Sequence, residues 1–255
     1  MKIHELPLGA RVVLGSMQGH TPFDDPTEIT WLKVSSRNDF MSEQRVIECR
    51  YDSPEPTNSN RGRRSNGNNY FPHSNLLQYL NGRGDRWWAP AHRDDAPPYS
   101  FGNNPGFLTM FGEDEIACMM DRAVTVVSPA GSKRQFGKST QLVAKVLLPA
   151  LSELVPSLTE RTEGELFELF ERDAPHFNGS IFTRTGCPEI SCDVYKWRNG
   201  RCGTEHACSW GNVHPVIRLQ PETELAFDGE VFRLGTDKAQ KESYLKSLQA
   251  ILCAR

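Results

Sequence analysis

The sequence predicts a domain of the α+β class, and three observations support this prediction. Apolar runs of strand length are bounded by Gly, Pro and Asp residues, which is the usual pattern of short strands between turns. A few segments show helical spacing of their apolar residues instead. Long polar stretches rich in turn formers separate the elements. At 255 residues the chain is long enough to bury a sizeable core.

In the first hundred residues the pattern predicts strands at 8–14, 29–34 and 45–49, followed by one helix at 75–82. The helix has leucines on one side and Gly82 at its end, where glycine commonly stops a helix. The polar segments 52–69 and 83–106 are predicted to be long surface loops.

These two loops combine arginines with aromatic side chains, a mixture that suits stacking on sugars or bases and is common in protein interfaces. Trp87 and Trp88 are costly to leave in water, so they either fold back onto the domain or meet a partner. The candidate ligand-binding residues of the two loops are Arg61, Arg63, Arg64, Arg86, Trp87 and Trp88.

The remaining elements follow the same rules. The sequence predicts a helix at 113–124, strands on either side of a basic connector up to Pro149, and a short helix at 162–173. Two further short strands are predicted at 180–186 and 213–219, separated by a stretch rich in Cys, Gly and Asn. Asp228-Gly229 between two alternating runs predicts a β-hairpin with a two-residue turn. The tail closes as an amphipathic helix, whose apolar face is formed by Tyr244, Leu245, Leu248, Ile251 and Leu252.

Charge and composition indicate no particular partner. The net charge is −3 and the basic residues are spread along the chain, so no strong field favours nucleic acid or acidic lipid. The N-terminus lacks the apolar region of a secretory signal, and no segment approaches the roughly 20 apolar residues of a membrane span. The seven cysteines are expected to be thiols in a reducing compartment.

The segment around Gly137, Lys138 and Ser139 matches the second half of a phosphate-binding loop. That loop needs a first glycine at position 132, which is Ser132, and a helix that begins at the lysine. We therefore expect a strand, a variable connector and a second strand here. A nucleotide hydrolase remains an alternative.

Candidate metal ligands cluster near the C-terminal third. Zinc is held by four thiolate or imidazole groups, and the chain offers Cys187, Cys192, Cys202 and Cys208. Their spacing differs from the usual paired knuckles, so free or partly buried thiols are the expectation and zinc the alternative. The loop carboxylates at 24–25 and 94–95 offer calcium as a second alternative to plain solvated charge. No cofactor is expected.

Seven sequence motifs, taken in order, resemble a domain family of unknown function that is widespread in Firmicutes and their phages. They cover about residues 6 to 219. The motifs are Gly9-Ala10-Arg11-Val12-Val13-Leu14-Gly15, Ile29-Thr30-Trp31, Ser74-Asn75-Leu76-Leu77-Gln78-Tyr79-Leu80-Asn81, Gly106-Phe107-Leu108 with Phe111 and Glu115, Lys145-Val146-Leu147-Leu148-Pro149-Ala150-Leu151-Ser152-Glu153-Leu154, Ile181-Phe182-Thr183-Arg184-Thr185 and Val213-His214-Pro215-Val216-Ile217-Arg218-Leu219.

The resemblance implies a C-type-lectin-like core of antiparallel sheets with flanking helices, distantly similar to the formylglycine-generating sulfatase-modifying domains. We expect this domain to span 1–220, with the hairpin and the amphipathic helix at 221–255 as an extension. Such a scaffold tolerates variable loops, which then carry the function.

The resemblance and the lack of a recognisable catalytic set predict a non-enzymatic structural or binding protein. We expect a phage or prophage virion component, in the tail or on the capsid surface, which the C-terminal helix attaches to other virion proteins. It is then made in the bacterial cytoplasm and assembled into an oligomeric particle that contacts a host-surface glycan or protein. The alternatives are a glycan-binding adhesin and an enzyme, either formylglycine-generating-like or a P-loop hydrolase.

Overall fold

The computed structural model of the chain describes residues 1–17, 26–52, 69–89, 98, 101–128, 137–172, 174–177, 179–188, 190 and 193–235. Strands dominate this part of the chain, and the helices are short. In chain order the strands are β1 (Arg11–Met17), β2 (Thr27–Lys33), β3 (Asp39–Ser42), β4 (Ile47–Arg50), β5 (Met119–Met120), β6 (Arg122–Val127), β7 (Ser139–Ala144), β8 (Val146–Leu147), β9 (Ile181–Gly186), β10 (Asp193–Arg198), β11 (Arg201–His206), β12 (Trp210–Val213), β13 (Val216–Leu219), β14 (Leu225–Phe227) and β15 (Phe232–Leu234).

The α-helices are α1 (Asn75–Asn81), α2 (Glu113–Cys118), α3 (Leu151–Leu154) and α4 (Glu168–Arg172). Helix α1 is capped as its sequence predicts. The Ser74 hydroxyl accepts a hydrogen bond from the Leu77 amide, and the helix ends at Gly82.

The strands form two large sheets and one separate hairpin. The main sheet has the order β14-β15-β1-β2-β3-β13-β5, with β8 also paired to β13, and the second sheet has the order β11-β10-β9-β12-β4. Most pairs are antiparallel, while β1 with β15 and β12 with β9 are parallel. Strands β6 and β7 pair with each other. The α+β prediction is thus confirmed.

Hydrophobic cores lie on both faces of the second sheet. On β9 and β10, Phe182 and Val194 belong to the larger core, whereas Ile181 and Trp197 belong to the smaller one. This division follows from the alternation of side chains along a strand. Because both faces of β9 and β10 are covered, these two strands are fixed firmly between the cores.

Several predicted elements differ in extent. The helix predicted at 113–124 ends at Cys118, since the next residues pair as β5 and β6. The helix predicted at 162–173 is shorter, since only α4 (Glu168–Arg172) is helical there. The polar segments that become β3, β10 and β11 were not predicted as strands.

The C-terminal hairpin belongs to the main sheet. Strand β15 pairs in parallel with β1, so the hairpin predicted as part of an extension continues the sheet of the preceding residues. The predicted two-residue turn is wrong, because Phe227 pairs with Phe232 and four residues separate them. The Asp228 carboxylate accepts hydrogen bonds from the amides of Glu230 and Val231, which closes this wider loop.

A buried cluster of ion pairs joins the sheets. The fully buried carboxylate of Glu153 on α3 accepts hydrogen bonds from Arg184 of β9 at 2.8 and 3.0 Å. Its Oε1 also accepts from Arg122 of β6. Arg122 Nε lies 3.5 Å from Asp39 of β3, and Arg218 of β13 binds the same Asp39 through two nitrogens at 2.9 and 3.1 Å. We call these five residues the ion cluster.

The ion cluster includes three residues of the motifs that carry the family resemblance, Glu153, Arg184 and Arg218. Burial alone would raise the pKa of Glu153, but the charges of Arg184 and Arg122 outweigh it and hold that pKa below its usual value. The carboxylate is therefore ionised in the folded protein at neutral pH.

We expect Glu153→Gln to lower the free energy of unfolding by about 3 to 5 kcal/mol, since it leaves buried guanidinium groups without their counter-charge. Urea unfolding at pH 7 measures the loss. Glu43→Gln is the matched control, because it breaks the exposed ion pair with Arg11 and should cost less than about 1 kcal/mol. Equal losses in the two variants would contradict a stabilising ion cluster.

Candidate functional site

The arginine- and tryptophan-rich loops predicted to bind ligand are described only in part. Arg61, Arg63 and Arg64 lie outside the described residues, and Arg86 is exposed. Trp87 and Trp88 fold back towards the domain, which is one of the two arrangements that the sequence left open.

Trp87 belongs to the larger core and is only 8% exposed. Its ring stacks on Phe101 at 5.7 Å, meets Tyr79 edge-on at 5.5 Å, and donates its indole N–H to the Asn104 carbonyl at 2.7 Å. Trp88 is half-buried and lies 3.3 Å from Asn75 through its indole nitrogen. In this arrangement Trp87 offers no open ring face to a ligand.

The glycine and lysine of the partial phosphate-binding motif precede a strand. Gly137 has φ of 71°, and Ser139 begins β7, which pairs antiparallel with β6. A phosphate-binding loop instead leads into a helix whose N-terminus faces the phosphates. The predicted order of strand, connector and strand is confirmed.

The four candidate zinc cysteines do not all meet. Cys202 lies opposite Trp197 of β10. The Cys187 amide donates a hydrogen bond to the carbonyl of Asp193, which lies four residues before Trp197 on the same strand. Four strand residues span about 13 Å, whereas thiolates on one zinc ion lie about 4 Å apart. Cys187 and Cys202 therefore do not share one ion, and Cys192 lies outside the described residues.

The other predicted site residues fall outside the described part of the chain. These are the loop carboxylates at 24–25 and 94–95 and the apolar face of the C-terminal helix, Tyr244, Leu245, Leu248, Ile251 and Leu252. Among the residues that the structure describes, no group of three or more His, Cys, Asp or Glu side chains is arranged to hold a metal ion.

The acidic cavity between β1, β15 and α2 has a volume of about 490 Å³. Its carboxylates are largely engaged within the chain. Glu28 is paired with Arg233, Glu113 with Arg83, and Glu115 accepts hydrogen bonds from two backbone amides. The cavity therefore presents little unpaired charge to a ligand.

A surface that the sequence did not reveal lies where β4 pairs with β12. Trp210 is opposite Arg50 and Asn212 is opposite Glu48. Directly opposite residues of antiparallel strands project from the same face. Cys49, between Glu48 and Arg50, faces the larger core instead. Asn212 is buried, and we call the surface formed by Glu48, Arg50 and Trp210 the β4–β12 face.

Trp210 is the distinctive residue of the β4–β12 face. It is 51% exposed, and the Arg50 guanidinium carbon lies 5.9 Å from the centre of its ring. Lys196 Nζ donates to the Trp210 carbonyl at 2.7 Å, which fixes the backbone that carries the ring. The Trp210 side chain is thus solvent-exposed on a fixed strand, beside the Arg50 guanidinium.

The described residues that flank the arginine-bearing segment 53–68 are Asp52 and Asn69. The Asp52 amide donates to the carbonyl of Ala207, three residues before Trp210, at 3.0 Å. At the other end, the Asn69 side chain donates to the carbonyls of Cys187, Ile190 and Asp193 at 3.1, 2.8 and 2.7 Å. Asp52 is thus hydrogen-bonded close to the start of β12, and Asn69 is hydrogen-bonded to the connection between β9 and β10.

An open cavity of about 760 Å³ lies at the opposite end of β12, lined by Glu43, Gln44, Arg45, His176 and His214. His214 is buried and its Nδ1 lies 3.0 Å from the Ser42 carbonyl. Its Nε2 has no hydrogen-bond partner among the described residues. Burial lowers the pKa of His214 to about 4, so the ring is neutral at pH 7.

Trp210 had one weak sequence signal, since a tryptophan between a serine and a glycine in a polar stretch is unusual for a core. His214 lies within one of the family motifs, but nothing in its spacing shows that it is buried. Both properties depend on which strands pair, and sequence patterns at these short strands do not determine the pairing.

We expect stability to fall as the pH drops from about 6.5 to about 4, because the unfolded chain binds a proton at His214 while the folded protein does not. The full loss over this window is about 3 kcal/mol. Unfolding free energies measured between pH 7 and pH 5 check this slope. His214→Gln should flatten it and His176→Gln, at an exposed position, should not. An unchanged slope in His214→Gln would contradict the assignment.

We compared the chain with known proteins and examined its helices for a membrane span. In the part of the chain that the structure describes, no helix has the length and apolar character needed to cross a membrane. Neither the curated proteins nor the solved structures contain a match. One family model, described as a domain of unknown function (DUF6273), matches residues 38–200, more than half of the chain. The chain therefore belongs to the DUF6273 domain family.

Proposed function

We propose that this protein is a non-enzymatic binding protein that contacts its partner through the β4–β12 face. The observation that carries the proposal is the half-exposed ring of Trp210 beside the guanidinium of Arg50. Tryptophan and arginine supply a large share of the binding energy in protein interfaces. Exposed tryptophan on a fixed strand also loses little conformational freedom when a partner binds.

The scaffold beneath the β4–β12 face is well suited to this role. A side chain at Gly211, next to Trp210, would place its Cβ 2.6 Å from the Phe182 ring, so β12 packs tightly on the larger core at this point. Strand β12 is also paired on both sides, with β9 and with β4. The Trp210 ring is therefore presented without backbone rearrangement.

The finer proposal is that the domain is a C-type-lectin-like module of a phage or prophage virion, in the tail or on the capsid surface. The resemblance of the seven motifs supports it. In this proposal other virion proteins are the partners, and the segment 221–255 takes part in attachment. The two roles need different residues, so they can be separated by mutation.

We expect Trp210→Ala to weaken incorporation of the protein into particles released by its host bacterium, with a loss of affinity of about 30-fold or more. Quantitative immunoblotting of purified particles measures the ratio of this protein to the major capsid protein. Val143→Ala is the matched control, because Val143 is a similarly exposed apolar residue on the separate hairpin and lies outside segment 221–255.

Normal incorporation of Trp210→Ala would contradict an attachment role for the β4–β12 face. If the protein is absent from particles altogether, the virion proposal itself is wrong, whatever the β4–β12 face binds.

A glycan-binding adhesin is the second candidate, and the composition of the β4–β12 face favours it. The Trp210 ring offers a surface on which a sugar can stack, while Glu48 and Arg50 on the same face carry hydrogen-bonding groups. This combination of one aromatic ring with nearby polar groups is typical of sites that orient a polar ligand.

We expect an adhesin of this kind to retain a defined subset of bacterial surface glycans on an array, and Trp210→Phe to keep more of the signal than Trp210→Ala. The reason is that phenylalanine preserves a stacking surface. Binding that is lost equally in Val143→Ala, or that is unaffected by Trp210→Ala, would exclude the β4–β12 face as the glycan site.

A further inference from the structure

Strand β11 forms one edge of the second sheet, and all six of its residues are exposed. It pairs along its whole length with β10. Among the described residues, no strand pairs with its other side. An exposed edge of this length presents unpaired backbone donors and acceptors to a further strand.

The turn between β10 and β11 determines which backbone groups point outwards. Arg198 pairs with Arg201 across a two-residue turn, in which Asn199 and Gly200 have φ values of 45° and 83°. Residues that flank such a turn form a hydrogen-bonded pair, and the type of pair then alternates along the hairpin. The amides and carbonyls of Cys202, Thr204 and His206 therefore point away from β10.

Strand β11 carries opposite charges towards its two ends, Arg201 and Glu205. Arg198 and Arg201 lie directly opposite each other, and like charges in this position are destabilising. Neither has an ion pair with a described carboxylate. At the other end of the strand, Glu205 is half-exposed and is paired only with Lys196. Residues 201, 203 and 205 share one face of the strand.

We propose that a second copy of this chain pairs with β11 in antiparallel orientation, with Gly203 opposite the partner's Gly203. The two five-stranded sheets then form one continuous sheet across a two-fold axis. In this register Arg201 lies opposite the partner's Glu205, and the reciprocal pair forms on the other side of the axis. Cys202 and Thr204 exchange backbone hydrogen bonds with the partner's Thr204 and Cys202.

Three independent features select this register. The outward-pointing groups of Cys202 and Thr204 are aligned with each other, as an antiparallel ladder requires. Arg201 gains the carboxylate that its own chain does not supply. The close, non-hydrogen-bonded pair at the axis is formed by glycine, which has no side chain to obstruct it.

Registers shifted by one or two residues lose these features. A shift of one residue places the outward groups of one strand opposite inward groups of the other. If the partner strand slides by two residues in either direction, Arg201 lies opposite the partner's residue 203 or 207 instead of its residue 205. The self-complementary charges of β11 thus favour a second copy over an unrelated peptide as its partner.

We expect the full-length protein to dimerise with rising concentration in sedimentation equilibrium, and Arg201→Glu to raise the dimer Kd by about tenfold or more, since it changes two attractive contacts into two repulsive ones. The charge swap Arg201→Glu with Glu205→Arg should restore dimerisation. Thermal melting of each variant at low concentration checks that the monomer is folded. Arg11→Glu, which alters an exposed arginine of the main sheet, is the matched control.

A cross-linking experiment tests the register itself. In a Cys202→Ser background, Gly203→Cys should give a covalent dimer under mild oxidation, because the new thiols face each other across the axis. A Cβ at Gly203 meets no atom within 4 Å, so this substitution fits the monomer. Arg201→Cys in the same background should give no covalent dimer, because the two thiols are not opposite each other in this register.

The proposal is wrong if the protein remains monomeric at all concentrations, or if it dimerises equally well with Arg201→Glu. A covalent dimer from Arg201→Cys but not from Gly203→Cys would contradict the register. None of these results depends on Trp210, so they are distinct from the tests of the β4–β12 face.

Discussion

The ionised carboxylate of Glu153, buried between two arginines, is the interaction on which the arrangement of the two sheets depends. A charge in this environment costs several kcal/mol unless it is paired, and Arg184 and Arg122 provide the pairing. Arg122 then reaches Asp39 in the main sheet, while Arg184 belongs to the second. In these positions of the strands, each charge of the cluster lies beside a charge of opposite sign.

The surfaces proposed for binding depend on this arrangement. Strand β9, which carries Arg184, lies between β10 and β12 in the second sheet. Fixing β9 therefore fixes β12, which presents Trp210 at one end and leads to His214 at the other. It also fixes β10, from which β11 projects as an exposed edge. The two proposed contacts lie at different parts of one sheet whose strands β9 and β10 are covered by core residues on both faces.

The sequence predicted the elements whose burial is simple. Strands β1 and β2 are apolar runs, and α1 has both a serine cap and a terminal glycine. The polar strand β11 was missed because its residues are exposed on both faces and show no alternation. The exposure of the tryptophans could not be predicted for a related reason. Trp87, in a polar loop, is buried against Phe101. Trp210 is exposed on a strand that lies near the sheet edge. Such differences depend on long-range pairing, which local patterns do not encode.

Hydrogen exchange of the Glu153→Gln variant tests the role of the ion cluster most directly. If Glu153 joins the two sheets, the backbone amides of β9 and of β3 should lose protection together and by similar factors. The amides of β7, in the separate hairpin, should change less. Loss of protection confined to α3 and its immediate neighbours would contradict the claim that this carboxylate holds the sheets in place.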